Sequence, residues 1–200
     1  GYNFYQILTE LFGVPYLPIP VQEDLSLDPQ KFYWVNNNIF IANPNTPTGI
    51  ALGIDQIERI VDANPNNVVV IDEAYIYFGS PSCVNLIQKY PNLLLIRTLS
   101  KSRFQAGLRV GYAIGSAELI ADLEKVRKSI NPYNLSRLSL LAAQAALDDN
   151  SYYMARCAKI AATREMTAKF MRQRGFILTP SKANFIFCRH PQLGGSQLYA

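Results

Sequence analysis

The sequence predicts an α/β fold, with a mostly parallel sheet flanked by helices and then the start of a smaller α+β unit. Two observations carry that expectation. Short apolar runs at Ile39–Ala42, Val68–Ile71 and Leu93–Arg97 are separated by stretches that can form crossover helices, the pattern of parallel strands. Beyond about residue 115 helical periodicity takes over, and a long helix ended by Gly175 leads into two short strand-like runs.

In chain order, Tyr16–Val21 reads as a first strand and Ile39–Ala42 as the next. Asp55–Asp62 reads as a helix leading to Val68–Ile71, whose unbroken β-branched residues suit a strand buried on both faces. Val84–Gln88 reads as a helix before the strand Leu93–Arg97. Val110–Ile114 follows too soon for a helical crossover, so an antiparallel strand is expected there. Two helices come next, 117–128 with Leu119, Ile120, Leu123 and Val126 on one face, and 136–147, rich in alanine and leucine. Asn131-Pro132-Tyr133-Asn134 breaks the pattern between them. A bridging helix over 152–174 then leads to short strands at 176–179 and 184–189. These elements divide the chain into a mixed domain, 1–150, and a bridging helix with the beginning of a small domain, 151–200.

Composition narrows the class. Of the 200 residues 49% are apolar and 17% charged, enough to bury a sizeable core. No apolar run approaches the ~20 residues of a membrane span, and Gly1-Tyr2-Asn3-Phe4-Tyr5 lacks a signal peptide's pattern, so a cytoplasmic protein is expected. The net charge of +4 is dispersed, which argues against a nucleic-acid partner. Cys83, Cys157 and Cys188 lack Cys-x-x-Cys spacing, so buried thiols are expected rather than disulfides or a metal site. His190 is the sole histidine, leaving no Ser-His-Asp or Cys-His machinery.

Three segments carry chemistry. Arg97-Thr98-Leu99-Ser100-Lys101 brings an amine and a hydroxyl to a strand end, and Ala106-Gly107-Leu108-Arg109-Val110-Gly111 adds a guanidinium suited to phosphate. Asp72-Glu73-Ala74-Tyr75 follows the β-branched strand, and so emerges where open α/β sheets bind ligands. Asn43-Pro44-Asn45-Thr46-Pro47-Thr48-Gly49 makes a loop at a third strand end. Singly, each has an ordinary reading: a turn, a local cap by Asp72, a solvated lysine. Their combination, in this order, does not.

These segments resemble the fold type I pyridoxal-phosphate enzymes, specifically the class I/II aminotransferases and, within them, the histidinol-phosphate branch. The likeness runs from Tyr2 to about Phe187. It implies pyridoxal 5'-phosphate as cofactor, with Lys101 forming an imine to its aldehyde and shuttling the substrate proton. It further implies Asp72 on the pyridine nitrogen, Tyr75 on the cofactor O3′, Ala74 against the ring, and Ser100 and Arg109 on the phosphate. Here the family's usual asparagine before Pro-Thr-Gly is Thr46, so either Asn45 or Thr46 takes that contact. Tyr2 stands at the spacing of the ring-stacking tyrosine, though it also reads as an exposed terminal aromatic.

By the same resemblance the substrates are an amino donor, histidinol phosphate in histidine biosynthesis, and 2-oxoglutarate as the 2-oxo acid, with no metal. An aromatic or broad-specificity aminotransferase and a threonine-phosphate decarboxylase share the motifs, and an inactive phosphate-binding module is the non-enzyme alternative. A homodimer is implied. The resemblance also implies that the N-terminal arm, a first phosphate loop and a C-terminal substrate arginine lie beyond these residues, so the 200-residue piece alone is expected to be nearly inactive.

Overall fold

The computed structural model describes residues 3–199, beginning with helix α1 (Phe4–Leu11). Phe4, Ile7, Leu8 and Leu11 repeat at helical spacing, a signal that the sequence reading passed over, and no residue of α1 is buried. The strand expected at Tyr16–Val21 does not form. Pro15, Pro18 and Pro20 remove the N–H groups a ladder needs, and the segment is exposed apart from half-buried Ile19.

The central sheet comprises β1 (Ile39–Ala42), β2 (Val69–Asp72), β3 (Leu93–Thr98) and β4 (Gly111–Gly115), in that spatial order. The first three are parallel, and β4 returns antiparallel to β3, as its close spacing required. Helix α2 (Ile54–Asp62) makes the first crossover; Gln56 Oε1 accepts the Gly53 N–H at 2.8 Å and so satisfies one of the donors at the helix start. Ile57, Ile60 and Val61 of α2 are wholly buried against Ile39, Ile41, Val69, Ile71, Leu93 and Leu95. Burying each such side chain contributes about 1.5–3 kcal/mol, so this face anchors the fold. The second crossover, expected to be helical at 84–88, is made of tight 3-10 turns at 76–78 and 84–88.

Because β1, β2 and β3 are parallel, their carboxyl ends lie along one edge. Ala42 is paired with Asp72 and Asp72 with Ile96, so the chain leaves all three strands at one level. A single short helix, α3 (Leu99–Ser102), follows β3 at once, started by Thr98 Oγ1 accepting the Ser100 N–H at 3.1 Å.

Helices α4 (Ala117–Ile130) and α5 (Arg137–Asp148) are capped by Ser116 and Ser136, whose hydroxyls accept the Leu119 and Ser139 N–H groups. The expected apolar face of α4 is only partly covered among the described residues: Leu119 and Ile120 are half-buried, whereas Leu123 and Val126 are exposed. The long helix α6 (Asn150–Arg172) leads to an antiparallel pair, β5 (Ile177–Leu178) with β6 (Cys188–Arg189), shorter than the sequence implied, and to α7 (Gly195–Tyr199). Arg164 of α6 is buried and donates through Nη1 to the carbonyls of Phe78 and Ala183, pinning the helix both to the turn after β2 and to the β5–β6 connection. That connection also grips the loop after β1. Thr179 Oγ1 donates to the Thr48 carbonyl at 2.6 Å and the Lys182 N–H to that of Gly49 at 2.7 Å.

Candidate active site

The residues singled out in the sequence gather at the carboxyl edge of the parallel strands. Asp72 is the last residue of β2, and the first residue past β1, Asn43, donates its N–H to the Asp72 carbonyl at 2.9 Å. Lys101 and Arg109 reach the same edge because Thr98 is paired with Gly111 and the Leu99 N–H donates to the Val110 carbonyl at 3.0 Å. The antiparallel return of β4 thus brings Arg109 back to the strand end that delivers Lys101.

Asp72 is half-buried, and each carboxylate oxygen has a donor: Ala74 N–H to Oδ1 at 2.9 Å, and the Tyr5 hydroxyl to Oδ2. The local cap that an aspartate after a strand can make is therefore present, yet each oxygen keeps acceptor capacity. Tyr75, three residues on, packs its ring edge-on to Phe185, centroids 5.2 Å apart, and Lys101 Nζ lies 5.4 Å from the Tyr75 centroid. The lysine is half-buried against an aromatic face rather than loose in solvent. Ala74 is half-buried between Asp72 and Tyr75.

Ser100 accepts the Thr98 hydroxyl at 3.0 Å from within the first turn of α3. Arg109 is exposed, with φ 56°, an unusual backbone for a residue with a side chain. Its Nη1 donates to the Ala106 carbonyl at 2.9 Å, which orients the fork while most of its donors stay unengaged among the described residues. In the loop after β1, Asn43 folds inward, accepting the Leu52 N–H at 2.7 Å. Asn45 is buried and donates from Nδ2 to Thr48 Oγ1 at 2.9 Å, whereas Thr46 is half-buried. Tyr2 lies outside the described residues.

Sequence reasoning missed two features. One is Tyr5, which reaches Asp72 from α1, 67 positions away. The other lies on the opposite face of the strands, where Glu73 accepts from Ser82 Oγ, from the Cys83 N–H at 2.8 Å and from Arg97 Nε at 2.9 Å. Arg97 also donates to the Tyr77 hydroxyl at 2.9 Å. Burial works against the Arg97 charge, but the hydrogen bond and attraction of Glu73 outweigh it and hold the guanidinium more firmly protonated. Burial, then the hydrogen bond with Tyr112, raises the Tyr77 phenol. Burial, reinforced by the Glu73 charge, pushes the Cys83 thiol up to about 12. Alternation along the strands gave the signal: if Asp72 faces one side, Glu73 and Arg97 face the other.

An amine, a carboxylate, a phenol and a guanidinium along the carboxyl edge of a parallel sheet define a ligand-binding α/β protein of the open-sheet type. The family profile for aminotransferase class I and II matches residues 1–193, and the chain belongs to that family. It is 45% identical over 198 residues to histidinol-phosphate aminotransferase 2 of Dechloromonas aromatica (strain RCB), covering 98% of this chain and 56% of that protein. The crystal structure of the histidinol-phosphate aminotransferase from Clostridium acetobutylicum superposes with a TM-score of 0.88 at 28% identity, covering 99% of this chain and 62% of that one. That from Sinorhizobium meliloti, solved in complex with pyridoxal-5'-phosphate, shares the fold, with a TM-score of 0.84 at 24% identity over 96% of this chain and 54% of that one. The chain spans a little over half the length of the curated relatives it matches.

Proposed function

We propose that the protein catalyses pyridoxal-phosphate-dependent transamination, with histidinol phosphate as amino donor and 2-oxoglutarate as acceptor, as a homodimer in the cytoplasm. The observation that carries the reading is Lys101 Nζ over the Tyr75 ring, three residues from Asp72, at one sheet edge with Arg109. Kinship to histidinol-phosphate aminotransferases supports the substrate. No described helix is long and apolar enough to cross a membrane.

The donor set suits the cofactor. Asp72 keeps acceptor capacity for a protonated ring nitrogen, Tyr75 offers a phenol, and Ser100 with Arg109 offers a hydroxyl and a cationic fork for phosphate. When bound, pyridoxal phosphate supplies an aldehyde and an electron-withdrawing ring. Lys101 would hold the cofactor at its aldehyde end, and its Nζ would take the substrate's α-proton. The Asp72 carboxylate would pair with the ring nitrogen and favour its protonated form. Tyr75 would donate to O3′, Ala74 would leave room for the ring, and Asn45 or Thr46 would supply the further contact to O3′. By the family resemblance, Tyr2 would be the residue that stacks on the ring.

The test is product analysis with the full-length gene product carrying this sequence. Histidinol phosphate and 2-oxoglutarate should yield glutamate and the corresponding ketone phosphate in equal amounts, and Lys101→Ala should abolish turnover. Turnover confined to aromatic amino acids would reject the substrate, and release of carbon dioxide from threonine phosphate would reject the reaction type.

A further inference from the structure

Asp72 is held from two directions of unequal character. Ala74 N–H comes from the same strand end and fixes Oδ1 locally. The hydrogen bond to Oδ2 comes from Tyr5 on α1, an element with no buried residue. The Tyr5 ring also lies 5.8 Å, centroid to centroid, from Phe40 of β1, on the sheet face opposite the α2 core. Tyr5 therefore touches both the acid and the sheet face beside it, and itself is half-buried.

We infer that Tyr5 is a positioning residue for Asp72, its hydroxyl fixing the rotation of the carboxylate so that the remaining acceptor capacity points at the cofactor's ring nitrogen. The assignment rests on the functional reading above. A carboxylate anchored through Oδ1 alone can swing about its terminal torsion, which is broad and weakly restrained. A second donor on Oδ2 removes that freedom. The Phe40 contact keeps the phenol in place, so removing the hydroxyl alone isolates the effect from ring packing.

The experiment uses the full-length holoenzyme and Tyr5→Phe, which retains the ring and deletes only the donor. The expected result is a kcat about tenfold lower or more with KM for the amino donor little changed, as for partners that orient a liganding group. The pH midpoint of the bound cofactor's visible absorption should move upward, because a loosely held carboxylate keeps the ring less electron-withdrawing. Tyr5→His, which restores a donor, should recover part of both. A merely structural role would lower stability and active fraction without moving the absorption midpoint. An unchanged or downward-moving midpoint in Tyr5→Phe overturns the assignment alone. Failure of the wild-type protein to take up pyridoxal phosphate overturns the functional reading and this assignment with it.

Discussion

The Glu73 carboxylate, with none of its side chain exposed, lies 2.8 Å from Arg97 Nη2 and joins the ends of β2 and β3 one residue beyond Asp72 and four before Lys101. The pair thus ties the two strand ends that deliver the candidate acid and amine.

Removing one member leaves the other charged in a nearly closed site. Glu73→Ala is expected to lower the unfolding free energy by about 3–5 kcal/mol, read from urea denaturation. Ser82 and the Cys83 N–H would lose their acceptor as well. The exposed pair Lys125–Asp122 is the control: Asp122→Asn should leave the denaturation midpoint unchanged.

Gly49 has φ +73°, and an added Cβ would sit 2.2 Å from Ser181 Oγ and 3.0 Å from Ser181 Cα. Gly49→Ala is therefore both strained and blocked by backbone, and should destabilise by about 1–3 kcal/mol. Limited proteolysis should then cut first in residues 179–187, where the β5–β6 connection meets this loop.

Cys83 titrates only near pH 12 in the fold, against an ordinary thiol near 8.5. At pH 8.5 it should label with a disulfide reagent far more slowly than the half-buried Cys188, as peptide mapping would show. The linkage sign follows. Between about pH 8.5 and 12 the unfolded chain loses this proton while the fold keeps it, so stability falls as pH rises through that window. Cys83→Ala should flatten the fall.

Arg109→Lys keeps the charge and loses the planar fork. If Arg109 holds the cofactor phosphate, equilibrium dialysis of the full-length variant should show affinity for pyridoxal phosphate weaker by about tenfold or more. Unchanged affinity would remove Arg109 from the phosphate site.

Much of this was legible beforehand. The β-branched run 68–71 announced β2, the spacing of Val110 to Leu93–Arg97 announced an antiparallel return, and together they point Asp72, Lys101 and Arg109 to one edge. Alternating apolar residues at Tyr16–Val21 misled because three prolines outweigh β propensity. Tyr5 and the Glu73–Arg97 pair were hidden for another reason. Such contacts join residues 67 and 24 positions apart, and no local pattern encodes which polar groups meet across a sheet. The periodicity of α4 showed which residues share a face but not how far that face is covered: Leu119 and Ile120 are half-buried, and Leu123 and Val126 are exposed.

The central claim is that Lys101 and Asp72 serve one cofactor. The most direct test adds pyridoxal phosphate to the full-length protein, reduces with borohydride and maps the modified peptide. The account expects the reduced cofactor on Lys101, with labelling weakened by Asp72→Ala. Label on another lysine, or none at all in a folded protein, would contradict it.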